Sequence, residues 1–343
     1  MEINNQPFTE LPFEINDYYF FDKIGEGSFS KIYKVIDTRF KIEFAAKVVM
    51  CGDTDKNDNN IVWFNNEVNH LEELDHPNIM RIFKTFSHGP FNVMILTYCS
   101  GGTLMEHIEN SFPFANGLLM SYICQMISAL EHCHSHKIAH RDIKPDNILI
   151  DKYGRLILSD FGFSMKPRSS KLFSSFRGSF AFISPEMFSG VAYDPFKADV
   201  WALGVTIYVL AYGKLPWPID RDEKTIKKAI INADITIPKE SDPIVARLIS
   251  SMLQIEPSIR PSMHDIAQCE DYQSIIAIKE ATLPKLLQRN VSQLVTQSHG
   301  NLSIVPMSHR MGLNHRHYSQ FEITRRNTSC IKNFKTSNSK SGL

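Results

Sequence analysis

The chain reads as an α+β fold in two parts, and three features of the sequence lead there. Apolar residues alternate with polar ones around a glycine turn in "FDKIGEGSFSKIYKVI" and again in "EFAAKVVM", the pattern of strands. One helical segment, "IVWFNNEVNHLEELDHPNI", follows them, and beyond "CSGGTL" at 99–104 the chain turns helix-rich. A length of 343 residues with 43% apolar and 22% charged side chains suits one large or two small domains, and no internal repeat is visible.

In the first strand pair, Gly25 and Gly27 occupy the turn, where the missing Cβ lets main-chain N–H groups approach phosphate oxygens. A plain hairpin would carry the same glycines. Lys47 sits among apolar neighbours in "EFAAKVVM", and burying its ammonium would require an anion; a snorkelling surface lysine is the alternative. In the helical segment the apolar positions 64, 68, 71 and 74 bring Glu67 beside the buried stripe. Glu67 can then pair with Lys47, although a lone helical glutamate more often faces water.

The stretch "AHRDIKPDNILI", residues 139–150, is far more specific. With each residue type at about one in twenty, H-R-D-x-K-x-x-N arises by chance in roughly one chain in ten thousand. Asp142 stands where a carboxylate can accept a hydroxyl proton, Lys144 can neutralise a transferring phosphoryl group, and Asn147 offers an amide oxygen to a metal. The "ILI" that follows and "DKYGRLILSD" form a hairpin that ends on Asp160, with Phe161 and Gly162 next.

From here the chain resembles the eukaryotic protein kinase family. The resemblance covers about residues 17–272 and runs through an ordered series: Gly25-Glu26-Gly27-Ser28-Phe29-Ser30, "AAK" at 45–47, Glu67, "HRDIKPDN" at 140–147, "DFG" at 160–162, "SPE" at 184–186, "DVWALG" at 199–204 and Arg260. It implies the two-lobed kinase fold: a small antiparallel-sheet N-lobe with one main helix, about 17–97, and a larger, mainly helical C-lobe, about 98–272. Residues 1–16 would be an N-terminal extension and 273–343 a basic, Ser- and Asn-rich tail, largely disordered by its composition. "DHPNI", "CSGGTL", "GSFAFISPE" and "PFKADVWALGVTIYVLAYGKLPW" look most like the calcium/calmodulin-dependent group, in its AMP-activated-kinase-like branch.

The resemblance also implies roles and cofactors, ATP and Mg2+. Lys47 would hold the α- and β-phosphates, oriented by Glu67; Asn147 and Asp160 would bind magnesium; Asp142 would orient and deprotonate the acceptor hydroxyl. Lys144 is the pattern of serine/threonine-specific members, so protein substrates with Ser or Thr acceptors are expected. The glycine loop from Ile24 to Ser30 would cover the phosphates, with Ile32, Ala45 and Leu149 against adenine, Leu96 as gatekeeper, and the backbone of Thr97 and Cys99 bonding the base. Glu186 and Arg260 would form a buried ion pair, Asp199 would anchor the catalytic loop, and His140 would pack with Phe161 and Leu71. Ser30 and Ser184 stand where the family usually has glycine and alanine. Thr103 stands where members that prefer basic substrates often have glutamate, which leaves a preference for arginine at the substrate's −3 position open. A pseudokinase scaffold is the competing class, and the complete catalytic set argues against it.

Between "DFG" and "SPE" lie Ser169, Ser170, Ser174, Ser175 and Ser179. Ser175 aligns with the usual activating phosphosite, Arg141 would receive its phosphate, and an upstream activating kinase is thereby expected; Ser179 would line the substrate loop near Asp142 and Lys144. The tail is lopsided in charge: residues 281–343 carry nine Lys or Arg and one acid, against a net −8 in the rest. "LPKLLQRNVSQLV" can form an amphipathic helix through Leu287, Val291, Leu294 and Val295, yet with two positive charges it is thin for calmodulin. "RRNTS" offers Thr328 or Ser329 as an autophosphorylation target.

Six scattered cysteines without paired CxxC spacing, and an acidic start where a secretory leader would be basic, predict reduced thiols in the cytoplasm, with the nucleus open as a second location. The longest strongly apolar run, 201–213, is too short for a membrane span, and nothing points to nucleic acid. "EHCHSHKIAH" gathers Cys133 with His132, His134, His136 and His140, a zinc-like composition that lacks a second spaced ligand pair.

Overall fold

A computed structural model describes residues 11–27, 30–51, 59–167, 180–190, 192–217 and 222–282. Ser28, Phe29, the five serines at 169–179 and every position singled out in the tail lie outside the described residues.

The first lobe is a six-stranded antiparallel sheet in the order β1-β2-β3-β4-β6-β5, formed by β1 (Phe13–Ile15), β2 (Tyr18–Glu26), β3 (Ser30–Asp37), β4 (Glu43–Met50), β5 (Ile82–His88) and β6 (Phe91–Thr97). Its outer face buries Tyr18, Phe20, Tyr33, Val35, Ala46, Val48, Val93 and Ile95 in a small core of its own. The strand β1 lies ahead of residue 17, inside the segment read as an extension: Phe13 stacks on Phe20 at 4.7 Å and Ile15 is buried, so three residues join the sheet by aromatic packing.

Because side chains alternate across a strand, register decides what the other face presents. Pairing sets Ile32 opposite Lys47 in β3–β4, and Ala45 opposite Leu96 and Lys47 opposite Met94 in β4–β6. These residues therefore share the face turned toward the second lobe. Against it lies α1 (Asn59–Glu73), which buries Phe64, Glu67 and Leu71.

The second lobe is helical: α2 (Leu104–Ser111), α3 (Asn116–Ser135), α4 (Pro195–Tyr212), α5 (Glu223–Ile231), α6 (Pro243–Met252) and α7 (Met263–Gln268), with the hairpin β7 (Ile148–Ile150) and β8 (Leu156–Leu158) at its upper edge. Thr103 and Glu106 form a reciprocal cap on α2. Asp194 and Pro195 start α4, and Gly213 stops it in the left-handed region, where a Cβ would also come within 2.9 Å of Phe112. Apolar on every side, α4 is buried along most of its length and forms the pillar of this lobe. A further helix over 270–282 runs beyond the expected boundary at 272, held by buried Tyr272 and Ile275. Among the described residues no helix is long and apolar enough to cross a membrane.

Candidate active site

The two lobes meet along a cleft, and the charged residues singled out in the sequence converge there. Lys47 Nζ lies 2.7 Å from both carboxylate oxygens of Glu67 and 3.1 Å from Asp160 Oδ1. A buried ammonium needs such partners: the two carboxylates raise the lysine's pKa against the burial that opposes it, and Lys47 in turn draws the Asp160 carboxyl below its ordinary value. Burial acts the other way on Glu67 and raises its pKa.

Asp160 adopts the left-handed conformation (φ 62°) at the entry to the short turn Phe161–Phe163. Gly162 follows, and a Cβ there would stand 3.3 Å from Asp160 Oδ1, crowding the carboxylate that points into the cleft. Phe161 is fully buried and its ring lies 4.7 Å from that of His140 in an edge-on contact, with Leu71 in the same core.

Across the cleft, the turn after His140 gathers the second group. Asp142 Oδ2 accepts a bond from Lys144 Nζ at 2.8 Å and another from Asn147 Nδ2 at 2.7 Å, and Asn147 Nδ2 also bonds the Asp142 carbonyl. Both Asn147 bonds use the amide nitrogen, so its amide oxygen is the group left to face a cation. The loop itself is held from below: buried Asp199 at the start of α4 accepts the N–H groups of His140 and Arg141, each at 2.7 Å, and His134 Nε2 at 3.0 Å. Arg141 has φ 70°, and its Nη1 reaches the Phe163 carbonyl at 3.5 Å.

Ala45 and Leu96 are buried in the cleft roof, while Ile32, Cys99 and Leu149 pack half-buried against the same core; Ile24 is exposed at its rim. Thr97 spends its N–H on the Arg81 carbonyl, so only its carbonyl remains to offer a base. The floor depends on a glycine the sequence reading passed over. Gly101 exchanges backbone contact with β7 (N–H to Ile150 carbonyl, 2.8 Å), and a Cβ there would fall 2.8 Å from the Ile150 side chain. Farther down, Glu186 and Arg260 pair at 2.8 Å.

The His- and Cys-rich stretch divides its work. His134 supports Asp199 and His140 packs on Phe161, while the His132 ring lies tilted against that of His136 at 4.3 Å and that of His76 of the first lobe at 5.1 Å. Among the described residues no group of three or more His, Cys, Asp or Glu is placed to hold a metal ion.

The protein kinase domain profile matches residues 18–271. The chain belongs to the protein kinase family. This kinase-family chain is 31% identical over 267 residues to CBL-interacting protein kinase 32 of Oryza sativa subsp. japonica, covering 76% of this chain and 60% of that protein. It is 32% identical over 254 residues to the carbon catabolite-derepressing protein kinase of Saccharomyces cerevisiae (74% and 40% covered), and 30% identical over 251 residues to human NUAK family SNF1-like kinase 2 (73% and 39%). The resemblance to the AMP-activated-kinase-like branch holds in these relatives. The chain spans 60% or less of the length of each of the three.

Proposed function

We propose that this chain is a protein serine/threonine kinase that transfers the γ-phosphate of ATP to Ser or Thr hydroxyls of protein substrates. The observation that carries the reading is the pair of charge clusters facing one cleft, Lys47–Glu67–Asp160 on one side and Asp142–Lys144–Asn147 on the other.

Each residue then has a task the geometry allows. Lys47, fixed by Glu67, binds phosphate oxygens of the nucleotide, and the sheet face of Ile32, Ala45 and Leu96 with Leu149 below encloses the base. Thr97 offers its carbonyl and Cys99 its N–H to the base edge. Asp142 accepts the hydroxyl proton of the substrate, its second interactions with Lys144 and Asn147 holding the carboxylate in one rotamer. Lys144 carries positive charge next to that carboxylate, where charge develops on the phosphoryl group. The donor set fits a hard divalent cation such as Mg2+: Asp160 and Asn147 supply oxygen ligands, and the bound ion would neutralise phosphate charge.

Regulation belongs to the same proposal. Phosphorylation of Ser175 by an upstream kinase would give Arg141 a doubly charged partner beside the catalytic loop, ordering the substrate-binding side of the cleft. A Ser174→Ala/Ser175→Ala double variant with full activity overturns that part. The free cysteines among the described residues suit a reducing, cytoplasmic setting.

The direct test is phosphate transfer from labelled ATP with magnesium to a mixed Ser, Thr and Tyr peptide library, run beside Asp142→Asn. Transfer to Ser or Thr that falls about 10²-fold or more in the variant is expected. Nucleotide binding without transfer, even after phosphorylation of the 169–175 segment, overturns the reading.

A further inference from the structure

Glu67 is not the only residue on its face of α1 that reaches out of the helix. His70 and Glu73 follow it in successive steps of three residues, each beside the last on the helix surface. Each meets the chain that leaves Asp160: His70 Nδ1 lies 2.7 Å from Ser164 Oγ, and the Glu73 carboxylate takes Lys166 Nζ at 2.6 Å. Met165, between those two partners, is turned the other way. Its N–H and carbonyl exchange bonds with Ala139, both 2.9 Å, immediately before His140. The chain at 164–166 is therefore fastened to the catalytic loop through its backbone and to α1 through alternate side chains.

The two rungs differ in strength. Glu73 and Lys166 keep 40% and 43% of their side-chain surface exposed, and so solvated a pair adds little to stability. His70 and Ser164 are both buried, where a polar group without its partner is costly. Ser164 has a single hydroxyl hydrogen and gives it to the Phe161 carbonyl, which leaves His70 Nδ1 as donor to Ser164 Oγ. Burial lowers the pKa of this imidazole, with Lys166 acting in the same direction and Glu73 against it. The helix packs chiefly on the Phe161–Phe163 turn, and less on β4 and β5, so the chain leaving Asp160 is the neighbour that bears most on how close α1 stands to the cleft.

We propose that His70, seconded by Glu73, is a positioning residue of the phosphotransfer site: by gripping Ser164 and Lys166 it holds α1 where Glu67 reaches Lys47.

The kinetic half of the test rests on the kinase reading; the other half does not. His70→Leu keeps bulk and removes the donor, His70→Asn restores an N–H, and Glu73→Lys with Lys166→Glu reverses the outer rung. The readouts are kcat and KM for ATP on a Ser/Thr peptide, and amide hydrogen exchange of 59–73 with 195–212 of α4 as the fold control. His70→Leu should lower kcat/KM for ATP about tenfold, the loss of roughly one buried hydrogen bond, and speed exchange across α1 while α4 is unchanged. His70→Asn should recover most of both, and the double charge reversal should restore what either single reversal loses. Wild-type exchange across α1 in His70→Leu overturns the proposal whether or not phosphate is transferred. Equal acceleration in α1 and α4, with no recovery in His70→Asn, overturns it too, since it marks a general loss of packing. If the unsubstituted protein transfers no phosphate, the exchange measurements decide alone.

Discussion

Arg260 grips Glu186 with two parallel bonds, Nη1 to Oε1 at 2.8 Å and Nη2 to Oε2 at 3.0 Å, at a site where the guanidinium has no exposed surface. The remaining donors are also used, on the carbonyls of Lys197 and Gln254, and the Trp201 ring lies 5.2 Å away. Desolvating a guanidinium is costly, and it is tolerated here because every donor has a partner. Glu186→Ala should therefore cost about 3–5 kcal/mol of unfolding free energy by leaving the cation half paired. Arg260→Ala should cost at least as much, since it also removes the bonds to the Lys197 and Gln254 carbonyls. Urea unfolding of both variants checks this, and a loss under about 1 kcal/mol in Glu186→Ala would mean the pair is solvated as an ordinary surface bridge is.

Asp199 presents a pure acceptor to three donors, the N–H groups of His140 and Arg141 and the ring of His134. An asparagine has nearly the same shape but must aim an NH2 at one of them. Asp199→Asn should displace the backbone of the loop that carries Asp142 and reduce kcat about tenfold or more, with a stability loss of about 1–3 kcal/mol. Phosphate transfer and thermal unfolding of the same preparation separate the two effects, and an unchanged kcat would show that the loop holds its shape without this anchor.

Cys99 sits half-buried where the chain passes from β6 toward α2, at the back of the nucleotide cleft. Burial, with the Asp151 carboxylate adding to it, pushes the thiol up to about 12 from an ordinary 9.0. The reactive species is the thiolate, so a raised pKa means slower alkylation. At pH 8 Cys99 should react with iodoacetamide about 10³-fold more slowly than a free thiol, the ratio of their thiolate fractions. Peptide mass spectrometry after timed alkylation measures it; modification of Cys99 ahead of the other cysteines contradicts the assignment.

These residues also mark what can be seen in a sequence and what cannot. Lys47 and Glu67 were legible only as candidates: each is a charge among apolar residues, which local spacing explains equally by a snorkelling lysine and a solvated glutamate, and their pairing followed from the resemblance that the loop motif carries. The loop motif around Asp142 was legible because its groups act within a few residues of one another. His70 and Ser164 lie 94 residues apart and His134 and Asp199 65 apart, and nothing in local spacing links either pair. They meet because the turn after Asp160 and the start of α4 bring them together. The strand at Phe13–Ile15 is three residues long, too short for alternation to register, and only the stacked ring of Phe20 explains it. Gly101 carries no local signal of its role, because the close approach of Ile150 belongs to tertiary structure.

The histidines predict how stability depends on pH. His76 of the first lobe accepts the Asn78 N–H through Nδ1 at 3.1 Å and meets Ser128 Oγ of α3 through Nε2 at 2.9 Å, with the His132 ring tilted beside it and His136 next in line. Burial lowers the pKa of both His76 and His132 below the ordinary 6.5, each helped by the neighbouring imidazole, while Glu131 and Asp75 oppose it weakly at His132. The sign follows from which state takes the proton first. With the folded values depressed, the unfolded chain binds protons at higher pH, so stability is fully present above about 6.5 and is lost as the pH falls through the folded values. Protonating Nδ1 of His76 also removes the acceptor that Asn78 uses, and charging both rings sets like charges 5.1 Å apart between ring centres. His132→Phe keeps an aromatic ring between the two imidazoles without a titrating nitrogen. It should flatten the slope of unfolding free energy against pH between 6.5 and 5 by as much as about 1.4 kcal/mol per pH unit, one proton's worth. Urea unfolding at a series of pH values gives that slope directly, and parallel slopes for the two proteins would mean that His132 is charged in the fold as readily as in the unfolded chain.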